Sequence, residues 1–254
     1  NDALEMYECA KSHGKLLMAC QTMRFTPDRL AAKKFIESGG MDSIYYGEFS
    51  RIRRRGIPTW GTFHLRRVNC GGAFIDIGVH MLDALIWLMG NPKIKSVKGV
   101  AMQNHKYEIG SLKGSGALTG NVDNARVFDP DEMDVEDFCA GTLYFENGAN
   151  INFKVAWATN MPESADITLV SRDYGIDIAK GKVLFGEDGE ETLKHNPCPY
   201  DCAFPGHIYV IENLLGVLKG KEQPAVTPEE TINVATILEL FYKSAELGRE
   251  VSVK

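Results

Sequence analysis

The sequence predicts an α+β domain joined to the tail of an α/β domain. Three observations predict it. Residues 2–20 read as one helix and one short apolar strand, a pair too small to bury its own faces. Residues 96–186 hold a run of short β-branched or aromatic segments. Two helices then close the chain.

Each element has a local reason. Asp2 can cap a helix over residues 2–13, lined by Leu4, Met6 and Ala10 and stopped by Gly14. Lys15-Leu16-Leu17-Met18-Ala19-Cys20 reads as a buried strand. The expected division is therefore 1–22 for the end of the α/β domain and 23–254 for the sheet-bearing domain. Thr26-Pro27-Asp28 opens a second helix, with Thr26 as cap and Pro27 in the first helical position, and Gly39-Gly40 ends it. Residues 44–53 read as a strand. Residues 54–70 form a Gly-, Pro-, Arg- and Trp-rich loop, long enough to suggest function. Residues 73–89 form a strong helix closed by Gly90-Asn91-Pro92. Strands are expected at 97–103, 137–146, 149–157, 167–171, 175–179 and 182–186, with Asn147-Gly148 as a hairpin turn. Residues 104–135 lack periodicity and read as a loop over the sheet. Helices follow at about 206–219 and from the capping box Thr227-Pro228-Glu229-Glu230 to about Leu247.

Composition narrows the function. The 254 residues are 44% hydrophobic and carry a net charge of -6, ordinary for a globular chain and without electrostatic support for nucleic acid or an anionic membrane. The longest apolar stretch, residues 73–89, is interrupted by Asp76, His80 and Asp83, so no membrane span is expected. The chain opens without the basic and apolar regions of a signal peptide. Six scattered cysteines, several inside apolar runs, read as buried free thiols of a cytoplasmic protein. Cys198 and Cys202, with His195 and His207 nearby, lie in a stiff proline-bearing loop, and no metal is expected there.

The helix at 73–89 carries the chemistry. Apolar residues lie on nearly every face of it, yet Asp76, His80 and Asp83 share one stripe. Buried ionisable groups need a partner, a cap or a ligand to offset their desolvation. Alone, an Asp-x-x-x-His pair can simply satisfy itself in a core, and Asp76 is near enough to Gly71-Gly72 to cap the helix. The same pair also suits acid–base work, because the carboxylate orients an imidazole that titrates near neutrality. Arg51, Arg53, Arg54, Arg55, Arg66 and Arg67 flank the loop around Trp60. Most of these read as a solvated strand end, whereas Arg66 can reach substrate oxygens bidentately. Trp60 suits either a sugar face or a core contact. The run Gly110–Gly120 follows no convincing strand and is rejected as a phosphate cradle.

Cys70-Gly71-Gly72-Ala73-Phe74-Ile75-Asp76-Ile77-Gly78-Val79-His80-Met81-Leu82-Asp83 closely resembles the G-G-G-x-x-x-D-x-G-x-H-x-x-D signature of the Gfo/Idh/MocA family, named for glucose-fructose oxidoreductase and inositol dehydrogenase. Met23-Arg24-Phe25-Thr26-Pro27 resembles the family's crossover between domains. Val226-Thr227-Pro228-Glu229-Glu230 resembles the start of its C-terminal helix. Cys70 departs from the pattern, standing where the family has its first glycine.

The resemblance implies a Rossmann domain followed by a large, open, mostly antiparallel sheet flanked by helices, with substrate and NAD or NADP meeting between them. It implies an oxidoreductase that interconverts alcohol and carbonyl groups on a sugar, polyol or related small molecule. Asp76 and His80 would be catalytic, Arg66, Trp60 and His207 would bind substrate, and Arg24 and Gln21 would meet the cofactor. The sheet face would join copies into a homo-oligomer. The family's catalytic Glu-Lys-Pro lysine and its glycine loop would fall before Asn1, so the chain is expected to be a family member lacking most of its nucleotide domain, and inactive by itself. The alternatives are a ligand-sensing regulator of the same fold, an NAD-dependent glycosidase and a bare assembly module.

Overall fold

The computed structural model of the chain describes residues 2–108, 128–194, 198–200 and 205–253. Its centre is a nine-stranded sheet: β1 (Tyr46–Ile52), β2 (Ile94–Met102), β3 (Phe138–Phe145), β4 (Asn150–Ala156), β5 (Ser164–Val170), β6 (Tyr174–Asp177), β7 (Lys182–Phe185), β8 (Gly189–Thr192) and β9 (Val251–Ser252). The strand order is β8-β7-β6-β5-β1-β4-β3-β2-β9. All neighbours run antiparallel except β1 and β4, which pair in parallel from Tyr46↔Asn150 to Ile52↔Ala156. That exception places the carboxyl ends of two central strands side by side.

One face of the sheet is covered by helices. The helices are α1 (Asp2–Ser12), α2 (Pro27–Phe35), α3 (Arg66–Asn69), α4 (Val79–Leu88), α5 (Pro205–Leu218) and α6 (Pro228–Leu247), of which α4 and α6 pack directly on the strands. A π-helical turn, Phe74–Gly78, leads directly into α4. Alternation explains the layer: Phe49, Phe153, Val155, Leu143, Cys139, Val97, Ile167 and Leu169 point into it and are at most 2% exposed. Phe49 stacks on Phe153 and Phe153 on Phe74, with ring centroids 5.3 and 4.7 Å apart. Phe241 of α6 meets Phe74 edge-on at 4.6 Å. This aromatic column fixes the start of the long helix to β1, β4 and α6. Residues 66–88 are apolar enough by length and composition to cross a bilayer, but most of that surface is covered inside this layer.

Most expected elements form. The Asn147-Gly148 hairpin is present, with Gly148 at φ 89°. The capping box is complete: Glu230 N–H donates to Thr227 Oγ1 at 3.2 Å and Thr227 N–H to Glu230 Oε2 at 2.9 Å. Pro27 takes the first helical position, but the Thr26 hydroxyl oxygen accepts from Arg29 instead of capping the backbone.

Several readings are corrected. Residues 15–20 form no strand, and Leu16 is 43% exposed. Among the described residues no neighbouring strand offers them a ladder, and α1 buries no residue. Cys9, Cys20 and Cys70 are exposed, leaving Cys139 as the buried thiol among those described. Strands β8 and β9 escape pattern reading because one is a Glu-rich edge and the other only two residues long. Gly110–Gly120, His195 and Cys202 lie outside the described residues. Among the described residues, no group of three or more His, Cys, Asp or Glu is placed to hold a metal ion.

Candidate active site

The site forms where the long helix begins over the carboxyl ends of β1 and β4. Chain entry is tight. A Cβ at Gly71 would lie 2.0 Å from the Tyr242 hydroxyl, and one at Gly72 would lie 2.0 Å from the Glu136 carbonyl oxygen, so only glycine fits this turn. Cys70, just before it, caps α3 in the left-handed region at φ 64°. A side chain there costs about 1–2 kcal/mol, partly balanced by glycine's greater loss of freedom on folding. Cys70→Gly is therefore expected to stabilise the protein by about 0.5–1 kcal/mol. A raised urea midpoint with unchanged slope is the expected observation, and an unchanged midpoint would refute it.

Glu136 caps the helix, in place of the expected Asp76. Its carboxylate accepts from Gly72 N–H at 2.9 Å, Phe74 N–H at 3.0 Å and the Tyr242 hydroxyl at 2.9 Å. Burial pushes the Glu136 carboxyl up, and these donors oppose the shift. Glu136→Ala strands two buried amide donors and is expected to cost about 2–4 kcal/mol. A loss below about 1 kcal/mol in urea unfolding would remove Glu136 from this role.

Freed from capping, Asp76 faces the strand ends. Its Oδ2 accepts from the indole N–H of Trp157, immediately after β4, at 2.8 Å. His80 lies one helical turn further on. Its Nδ1 is buried and has no hydrogen-bond partner among the described residues. Burial pushes the Asp76 carboxyl up, held back by Trp157, Arg53, His80 and Arg51. Burial pushes His80 down; Asp76 opposes that, while Arg51, His207 and Arg53 add to it. The arrangement is a neutral imidazole beside a partly shielded carboxyl, able to accept and return a proton.

The third member of the stripe points elsewhere. Asp83 accepts from Arg24 Nε and Nη2, both at 2.6 Å, and Arg24 Nη1 donates to Glu230 Oε2 at 2.8 Å. Arg24 is fully buried by this clamp. Its expected cofactor contact is therefore corrected: no surface of the side chain is left to meet a nucleotide. Arg66 gives its backbone N–H to Asp134 Oδ1 at 2.6 Å and is exposed, with no contact to Asp76 or His80. Trp60 packs edge-on against Phe63 at 6.1 Å. His207 is exposed on α5 within electrostatic reach of His80. Gln21 is half-buried and precedes the short 3-10 turn Thr22–Phe25. Thus Asp76, His80 and His207 come together, whereas Arg66 and Trp60 do not join them.

Of the six arginines, most of them expected at a solvated strand end, Arg51 and Arg53 are half-buried beside the pair. Counting alternation from Phe49 would have placed both on the helix-facing side. Trp157 and Glu136 carried no local signal of their own.

The same fold occurs in solved oxidoreductases. Aldose-aldose oxidoreductase from Caulobacter crescentus, complexed with glycerol, superposes with a TM-score of 0.74 at 21% identity, over 99% of this chain and 68% of that one. The WlbA dehydrogenase from Bordetella pertussis, in complex with NADH and UDP-GlcNAcA, gives 0.66 at 20% identity, over 100% and 68%. In sequence, D-glucoside 3-dehydrogenase of Escherichia coli (strain K12) is 28% identical over 254 residues, 99% of this chain and 68% of the relative. Residues 30–178 match the GFO/IDH/MocA C-terminal domain, and the chain belongs to the GFO/IDH/MocA family.

Proposed function

We propose that the chain is the substrate-binding part of an NAD(P)-dependent oxidoreductase that interconverts alcohol and carbonyl groups on a sugar, polyol or related small molecule. The observation that carries this reading is His80, half-buried with its Nδ1 covered and unpartnered among the described residues, one turn from Asp76, whose carboxylate Trp157 holds. The similarity to D-glucoside 3-dehydrogenase and to a dehydrogenase crystallised with NADH supports it.

The described residues fit the reacting end of such a cofactor: they offer a proton-handling pair, but no glycine-rich turn opening a helix behind a buried strand. When bound, a nicotinamide supplies the hydride chemistry. The residues here manage the proton. His80 takes it from the substrate hydroxyl during oxidation and returns it during reduction. Asp76 steadies the imidazole electrostatically, and Trp157 fixes Asp76 in place. The uncovered sheet face, with Glu48, Lys98, Thr142, Asn152 and Lys154, is proposed to join copies of the chain.

The test uses the protein as its host makes it, with NAD and with NADP, against a panel of aldoses and polyols. Formation of reduced nicotinamide with at least one substrate is expected. Ligand binding without turnover in either direction would overturn the enzymatic reading and favour a sensor of the same fold.

A further inference from the structure

Two half-buried guanidiniums, Arg51 and Arg53, flank the proposed site, and a third, Arg29, lies within electrostatic reach of Arg51. Arg51 and Arg53 occupy alternate positions on the helix-facing side at the end of β1. Arg29 approaches from α2, only 5% exposed, donating to Thr26 Oγ1 at 2.8 Å and lying 3.7 Å from Met81 Sδ, next in sequence to His80. The Nε atoms of both Arg29 and Arg53 are buried with no hydrogen-bond partner among the described residues. Burial pushes all three guanidiniums below their ordinary range, and Arg29 and Arg53 add to the effect at Arg51.

Arg24 shows how this fold treats an arginine it intends to neutralise: a two-pronged clamp on Asp83 and a second carboxylate from Glu230. The other three have nothing comparable. Asp28 lies 3.7 Å from Arg29 but is 38% exposed, and Glu163 is exposed. Asp166 accepts from Ala179 N–H at 3.0 Å. Asp76, half-buried like Arg51 and Arg53, already accepts from Trp157. A buried guanidinium without a carboxylate is costly, and its fork matches a planar or tetrahedral oxyanion.

We propose that the substrate carries an anionic group, a carboxylate or a phosphate, received by Arg51 and Arg53 next to Asp76 and His80. The inference rests on the reading of this site as a substrate pocket and deepens it: the ligand is a sugar acid or sugar phosphate rather than a neutral sugar.

Calorimetric titration of the protein with glucuronate, its neutral methyl ester, glucose 6-phosphate and glucose tests it. At least one anion is expected to bind about 10- to 100-fold more tightly than its neutral counterpart. Arg53→Gln and Arg51→Gln, checked for folding by circular dichroism, are expected to erase that preference. Preference for glucuronate identifies a carboxylate, and preference for glucose 6-phosphate a phosphate. Equal binding of charged and neutral ligands, no binding of any, or a preference unchanged in both folded variants overturns the proposal. Anion-selective binding without NAD(P)-linked turnover would leave it standing and sink the oxidoreductase reading. Turnover of neutral polyols without anion preference would do the reverse.

Discussion

His80→Ala is expected to lower turnover by about 10²–10⁴ while the protein stays folded. Desolvation lowers the His80 pKa from its usual 6.5, and Arg51, His207 and Arg53 add to that effect. A base must be unprotonated to accept the hydroxyl proton, so the acid limb of kcat/KM is expected below pH 6.5. Asp76 acts in the opposite direction and raises the His80 pKa. Asp76→Asn keeps an oxygen for the Trp157 N–H but loses the charge, so it should move the acid limb to still lower pH. A limb that stays put would separate Asp76 from His80. The sign carries over to stability. The unfolded chain takes up this proton near pH 6.5 and the folded chain resists, so stability falls as pH drops through 6.5 toward the lowered folded value. His80→Gln should lose less stability over that window. Turnover equal to wild type in His80→Ala would end the acid–base assignment.

The helix bearing this pair was legible because its contradiction was local: three ionisable groups in an apolar run. Their partners were not legible. Asp76 was a plausible cap until the structure placed Glu136 there, sixty residues away in sequence, at a turn too tight for any residue but glycine. The strands of the sheet's interior announced themselves through alternation, whereas β8 did not, because an exposed edge needs no apolar side. The apolar run at 15–20 shows the converse failure. Hydrophobicity predicts burial only if something is there to cover it, and no described strand lies alongside. Arg24 looked like a domain-boundary residue free to meet a nucleotide; its carboxylate partners are 59 and 206 residues away, beyond any local pattern.

That clamp underlies the second large effect. Asp83→Ala is expected to destabilise the protein by about 3–5 kcal/mol, because it leaves the Arg24 charge buried without its main partner. Asp83 is 1% exposed and Arg24 is fully buried, so solvent cannot substitute for the lost carboxylate. Glu230 holds only one nitrogen and also serves the capping box, so it cannot replace a bidentate contact. Replacing both partners by apolar residues, Arg24→Met with Asp83→Leu, should recover most of the loss, since the desolvation cost disappears with the charges. Urea unfolding of the two single variants and the double variant measures this directly. The clamp also ties the Thr22–Phe25 turn to α4, and the same turn packs so closely on α5 that a Cβ at Gly206 would lie 2.3 Å from the Thr22 carbonyl oxygen. His207, next to Gly206, thereby keeps its position relative to His80. Loss of the clamp should shift the acid limb of activity as well as stability, because His207 helps depress His80. A double variant that regains stability but not the wild-type limb would show that the charges themselves, beyond the packing, set the site. A single variant losing under about 1 kcal/mol would show that the clamp is not an anchor at all.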